Sequence, residues 1–153
     1  MKKIIVRLSI LLFLSGFFFS CEKKERSSIP DCEVYIEIRE GTGQYAILRL
    51  IGEAVSYAYT PGVQVPANFR FGFGGVLIYR DLEGRIRSCD LACPVEAQPT
   101  VRVKVTMPFA ECPACGSKFD LSWGFAVPVA GPARESLRSY HASERATSIV
   151  VSN

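Results

Sequence analysis

The sequence contains Cys89-Asp-Leu-Ala-Cys93-Pro94 and, with eighteen residues between Cys93 and Cys112, a second loop, Cys112-Pro-Ala-Cys115-Gly116-Ser117. Two short-spaced cysteine pairs separated by about 15–20 residues are typical of a thiolate metal site. These four cysteines are therefore the first candidates for ligands, and the rest of the chain determines what kind of scaffold carries them.

The second loop has the pattern of a metal-binding turn. Cys112 and Cys115 have two residues between them and can bind one ion if the backbone between them turns. Gly116 removes the steric obstacle to that turn. Zinc ribbons and rubredoxins use this pattern twice, whereas this chain has it once.

Composition limits the classes of function. The chain has 153 residues, 22% charged and 48% hydrophobic, which is the balance of an ordinary globular domain. The net charge of +3 is small and its Lys and Arg residues are scattered, so we expect no nucleic-acid partner.

The N-terminus predicts an export signal over residues 1–20. Basic residues precede an apolar run over 8–19, which is shorter than the roughly 20 residues that a membrane span needs. The following Ser20-Cys21 resembles a bacterial lipobox, so we expect Cys21 to carry a lipid anchor in the cell envelope. Glu22 does not resemble an inner-membrane retention signal, which favours the outer membrane. Residues 21–31 are predicted to be a flexible tether, and residues 32–153 the folded domain.

Strand patterns dominate the folded part. Val34, Ile36 and Ile38 alternate with polar or amphipathic residues, which is the period of a half-buried strand. Further strands are predicted over 46–51, 76–80, 86–89, 101–106 and 148–151, with a hairpin turn at 81–84. No segment has a sustained helical period. The sequence thus predicts an antiparallel all-β domain.

Residues 73–141 resemble a Rieske iron–sulfur domain. The resemblance rests on Gly74-Gly-Val-Leu-Ile-Tyr79 before the site, on the two loops with sixteen residues between Val95 and Cys112, and on Gly116-Ser-Lys-Phe-Asp-Leu121 after them. Gly131-Pro132-Ala133 is similar to the proline loop of that family. The resemblance implies antiparallel β-sheets with a small inserted cluster-binding lobe over about 88–133. It also implies that Gly116, Ser117 and Pro132 surround the ligands, with Ser117 hydrogen-bonded to a cluster sulfur.

The ligands depart from the Rieske pattern. A Rieske centre binds one iron through two cysteines and the other through two histidines. Here the first histidine position is Val95 and the second is Cys115, and His141 is the only histidine of the chain. A true Rieske centre is therefore excluded, and Cys93, Cys112 and Cys115 are the predicted ligands.

Cys89 is a candidate fourth ligand. In a continuous strand, residues four apart lie about 13 Å from each other, which is too far to share a small metal centre. Cys89 would therefore bind only if residues 90–92 turn sharply. The alternative is a buried core cysteine, since free cysteine is among the most buried residue types.

Several occupants of the three-cysteine site remain open. The first is an iron–sulfur cluster of the 2Fe-2S type, which would make the chain a membrane-tethered electron-transfer module with an unknown redox partner and no substrate chemistry of its own. The alternatives are a structural zinc ion, or a metal-free scaffold for protein interaction clipped by a disulfide from Cys93 to Cys112 or Cys115. Thiol redox catalysis by Cys112 and Cys115 is disfavoured because no helix is predicted after them.

Overall fold

The computed structural model describes residues 27–153, so the predicted signal peptide and its Cys21 lie outside the described residues. The described part contains eleven strands and one helix. The strands are β1 (Val34–Arg39), β2 (Ala54–Tyr57), β3 (Arg70–Phe71), β4 (Val76–Arg80), β5 (Ile86–Asp90), β6 (Lys104–Thr106), β7 (Phe109–Glu111), β8 (Lys118–Asp120), β9 (Val127–Ala130), β10 (Ser139–Glu144) and β11 (Ser148–Ser152). The helix, α1, spans Gly43–Leu48. The predicted all-β class is confirmed.

Seven strands form one antiparallel sheet, here called the base sheet, in the order β2-β4-β5-β10-β11-β1-β3. The predicted hairpin turn closes β4 onto β5, and the Gly84 N–H donates to the Asp81 carbonyl at 3.0 Å. Arg87 binds the Asp81 carboxylate at 2.8 Å, and the N–H groups of Glu83 and Arg85 donate to the same side chain. A buried carboxylate thus stabilises this turn.

The remaining four strands form a second antiparallel sheet, here called the lobe, in the order β6-β7-β8-β9. The lobe is inserted between β5 and β10 of the base sheet. The chain enters and leaves it at adjacent points, because the Asp90 N–H donates to the Arg138 carbonyl at 2.8 Å. The lobe is therefore a long insertion between two strands, β5 and β10, that pair directly in the base sheet.

The core has two apolar clusters on opposite faces of β4. Ile78 belongs to one cluster together with Ile36 of β1. The neighbouring Leu77 and Tyr79 point the other way and belong to the second cluster, which also contains Cys112 of the lobe. Successive side chains of β4 alternate between the two faces, as in any strand. The face that carries Leu77 and Tyr79 packs against the cysteine loops, so these loops belong to the core that the base sheet shares with the lobe.

Two of the predicted strands differ in the structure. Residues 46–51 were expected to be a strand, but Gly43–Leu48 is helical, with the Thr42 side chain accepting the Tyr45 N–H at 3.2 Å as an N-cap. Tyr45 and Leu48 are three residues apart and both buried, so a helix places these two side chains on the same face, toward the core. Of residues 101–106, only Lys104–Thr106 forms a strand, preceded by a single bridge at Arg102.

The segment before β1 is packed rather than free. The Ser28 N–H donates to the Glu135 carboxylate at 3.1 Å, and Ile29 is buried. Arg138 donates to the Ile29 carbonyl at 2.9 Å and to the Asp31 carboxylate at 2.8 Å. The part of the predicted tether that the structure describes is therefore held against residues 135–138, the segment that leads into β10.

Among residues 27–153, the one helix falls far short of the length and apolarity that crossing a bilayer requires.

Candidate metal centre

Three of the predicted ligands come together in the lobe. Cys93 lies in the loop after β5, Cys112 directly follows β7, and Cys115 lies in the turn before β8. Their Sγ atoms all lie within 4.8 Å of one another, and those of Cys93 and Cys115 are 3.6 Å apart. Cysteines distant in sequence thus form one compact group of sulfur donors.

Backbone hydrogen bonds hold the first loop in place. The strand β5 ends at Asp90, whose carboxylate accepts the Ala92 N–H, and Ala92 then bridges to Arg102. The Cys93 N–H donates to the Val101 carbonyl at 3.1 Å, and the Cys93 carbonyl accepts from Ala97 at 2.9 Å. Cys93 is therefore fixed at a bend that directs it away from the strand.

The second loop forms the predicted turn. The Gly116 N–H donates to the Cys112 carbonyl at 2.9 Å, and the Cys112 N–H donates to the Ser117 carbonyl at 2.9 Å. Gly116 has a φ of +70°, which favours glycine. The strand β8 follows at Lys118, so no helix begins after Cys115, as the sequence predicted. The turn is that of a metal-binding knuckle rather than of a thiol redox motif.

Ser117 connects the cysteines to the loop after β9. Its Oγ accepts the Ala133 N–H at 3.1 Å and lies 3.1 Å from the Cys115 Sγ. Because the oxygen already accepts a backbone bond, its own hydrogen is free to donate to the sulfur. A Cβ on Gly131 would lie 2.6 Å from the Ser117 Cα, so this approach requires glycine. Pro132, which lies between Gly131 and Ala133 in the sequence, is exposed.

The electrostatic environment differs between the thiols. Burial raises the pKa of Cys93, and the backbone N–H groups of Glu96 and Val95 offset only part of that effect. Burial also acts to raise the pKa of Cys115, but hydrogen bonds from Ser117 and from the other two cysteines outweigh it and lower the pKa. Since metals bind thiolates, Cys115 is better prepared for binding than Cys93.

Cys89 does not join this group. It lies within β5, opposite Leu77 and Ser139, and is buried in the core. Burial raises the pKa of its thiol, which suits an uncharged core residue. Among the described residues, the group of close sulfur donors contains Cys93, Cys112 and Cys115 and leaves Cys89 out.

The remaining cysteine and the histidine lie elsewhere in the described part. Cys32 is partly exposed just before β1, where its carbonyl accepts from Asn153 at 2.9 Å. His141 lies in β10, opposite Ser152, and is exposed. Neither contributes to the three-sulfur group.

Asp90 is a residue near the site that the sequence did not single out. Its buried carboxylate accepts the N–H groups of Phe73, Gly74 and Ala92 and the Tyr140 hydroxyl, the last at 2.6 Å. Its partners lie up to 50 residues away. The nearest sequence signal is the glycine cluster at Gly74, where a Cβ would lie 2.8 Å from the Asp90 oxygen.

The donor set of this site suits a thiophilic metal. Zinc, iron and iron–sulfur clusters all bind cysteine thiolates. Three sulfurs within 4.8 Å of one another can bind a single metal centre, so the structure supports a cysteine metal site in general. In comparisons with known proteins, the sequence matches no protein-family model and no curated protein.

Proposed function

We propose that this protein is a Rieske-like module of the bacterial cell envelope that transfers electrons through a cysteine-ligated iron–sulfur centre of the 2Fe-2S type. The observation that carries the metal site is the convergence of the Cys93, Cys112 and Cys115 sulfurs within 4.8 Å, and the resemblance to Rieske domains carries the two-iron form of the centre. The cysteine loops extend from an all-β base through an inserted lobe, which is the arrangement that the resemblance to Rieske domains implies.

Hydrogen bonding supports an electron-transfer role. The Ser117 hydroxyl lies 3.1 Å from the Cys115 sulfur and can donate to it. Such donors stabilise the negative charge that reduction adds, and they thereby raise the reduction potential. Ligation by thiolates alone acts in the opposite direction. The reduction potential of plant-type ferredoxins is about −400 mV, whereas that of Rieske centres is about −150 to +300 mV. We expect a potential in the lower range.

A structural zinc ion is the second candidate, and the sulfur spacing favours it. A tetrahedral ion with metal–sulfur bonds of about 2.3 Å places neighbouring sulfurs about 3.8 Å apart. The Cys93 and Cys115 sulfurs are 3.6 Å apart. A metal-free scaffold would instead require an S–S bond of about 2.05 Å between such a pair. In either case the chain would act in protein interaction rather than in electron transfer.

Metal and sulfide analysis of anaerobically purified protein distinguishes these candidates. We expect a brown protein with stoichiometric iron and acid-labile sulfide, and loss of both in Cys112→Ser. Cys32→Ser is the matched control, because Cys32 lies outside the sulfur group. Colourless protein with one zinc ion per chain would establish the second candidate. A Cys93–Cys115 or Cys93–Cys112 bridge in metal-free protein, identified by mass spectrometry, would refute both metals.

We further propose that a lipid on Cys21 tethers the module to the membrane, with the outer membrane as its place. The support is the sequence around Ser20-Cys21 and the apolar run before it. Cys21→Ala should move the protein from the membrane fraction to the soluble envelope fraction. Retention of this variant in the membrane fraction would contradict the proposal.

A further inference from the structure

The three-cysteine site is one donor short of a closed metal site. Structural zinc sites have four protein ligands, and 2Fe-2S clusters are usually held by four. Within residues 27–153, the group of close candidate donors contains the three sulfurs and no carboxylate or imidazole. Glu96, three positions after Cys93, is outside this group.

The site is open on one side. Cys93 and Cys112 are both 0% exposed, so the inner side of the group faces the core. Cys115 is partly exposed, and its neighbours Pro113 and Ala114 are exposed. Solvent therefore reaches the sulfurs from the Cys115 side. A site with three protein ligands and an accessible fourth position is the arrangement by which metals accept outside ligands.

The rim and the charge of the site indicate which donor fits. Val95, 44% exposed, and the Pro113-Ala114 pair give the opening an apolar rim. A divalent ion on three thiolates already leaves one net negative charge, and an anionic fourth ligand would add another beside two fully buried sulfurs. A neutral donor avoids that cost.

We propose that the metal held by Cys93, Cys112 and Cys115 takes its fourth ligand from outside the chain, and that this ligand is a small neutral nitrogen donor of the imidazole type. This inference rests on the proposed metal site in its single-ion form, the second candidate above. The exposed edge of the knuckle would then bind an outside ligand in addition to holding the metal.

Cobalt substitution tests this assignment with the full-length chain. Co²⁺ bound under anaerobic conditions reports its thiolates by near-ultraviolet charge-transfer absorption and its coordination by visible d–d bands. Titration with free imidazole should shift the visible bands saturably and leave the charge-transfer absorption in place. 2-Mercaptoethanol, which binds a metal as its anionic thiolate, should bind more weakly than imidazole. Stronger binding of the thiol would overturn the preference for a neutral donor.

A donor placed on the rim should close the open position. Val95 follows Cys93 by two residues, so we expect Val95→His to give the imidazole-type spectrum without added imidazole and to abolish the titration. Val63→His adds the same side chain at an exposed position between β2 and β3, outside both cysteine loops in the sequence. This control should titrate like the original chain.

The outcomes separate the two proposals. Absence of thiolate-to-cobalt absorption would refute a single-ion site, and the present inference with it, whereas the iron and sulfide analysis above tests the cluster separately. Normal charge-transfer absorption with visible bands that imidazole does not move would overturn the inference alone. A visible spectrum that changes in Glu96→Gln before any imidazole is added would assign the fourth position to Glu96, and would also overturn it.

Discussion

The base sheet and the lobe are built from the same kind of element but are stabilised differently. In the base sheet, all five residues of β4 are buried, and strands β1 and β10 have six residues each. In the lobe, β6, β7 and β8 have three residues each, and three of the four residues of β9 are exposed. The base sheet therefore has an apolar cluster of its own on one face, whereas the buried residues of the lobe, such as Phe119 and Leu121, lie in the core that it shares with the base sheet.

This difference indicates what holds the lobe in place. Its short strands are supplemented by hydrogen bonds around the cysteines, such as that from the Ala133 N–H to the Ser117 hydroxyl. Its buried face is shared with base-sheet residues such as Leu77. A metal that joins Cys93 to the knuckle would add a crosslink between its two loops. We infer that burial stabilises both regions and that metal ligation adds to it in the lobe.

The largest effect is expected from a cavity in the base sheet. Ile36 is fully buried in the first apolar cluster, so Ile36→Ala should lower the free energy of unfolding by about 2–5 kcal/mol, with or without metal. Urea denaturation measures it. Leu50→Ala, at a 60% exposed position, is the control and should change stability by less than about 0.5 kcal/mol. Equal effects of the two variants would contradict the described core.

Metal removal should affect the lobe more than the base sheet. At a free metal concentration 100 times the dissociation constant, binding stabilises the folded state by about 2.7 kcal/mol. Chelation should therefore increase hydrogen exchange in β7 and β8, while exchange in β4 and β5 changes less. Uniform acceleration across both sheets would show that the two regions unfold as one unit.

A smaller change is expected from the hydrogen bond to the Cys115 sulfur. Ser117→Ala removes the hydroxyl that lies 3.1 Å from that sulfur, and it should weaken metal binding by about tenfold. In an iron–sulfur form it should also lower the reduction potential. Competition with a chromophoric chelator gives the affinity. The control is Thr106→Ala, at an exposed position of the lobe, and an equal loss there would refute a specific role for Ser117.

The smallest effect concerns pH and the base sheet alone. Burial acts to raise the pKa of Asp81, but the ion pair with Arg87 and N–H donors from Arg85 and Glu83 outweigh it and lower the pKa. Because the folded pKa lies below the unfolded one, the carboxylate stabilises the fold above its unfolded pKa, and this stability is lost as pH falls through the folded pKa. Asp81→Asn should flatten the acid limb of the stability curve while metal affinity at neutral pH stays unchanged.

The sequence predicted features that depend on local patterns. The alternation in β1 and the turn at Gly116 follow from spacing alone, and the knuckle brings Cys112 and Cys115 together without any other part of the chain. The helix α1 was missed because an apolar run suits a strand or a helix, and the Thr42 cap decided between them. The contacts of Asp90 could not be predicted, because they depend on how distant segments meet.

The hydrogen bond between the Asp90 N–H and the Arg138 carbonyl has a consequence for protein engineering. The two ends of the insertion are already neighbours, and β5 pairs directly with β10, so a short turn could join them and delete residues 91–137. Such a deletion would uncover Leu77 and Tyr79, which would need polar replacements. The same junction could then accept a different insertion, which makes the base sheet a reusable scaffold for grafted binding loops.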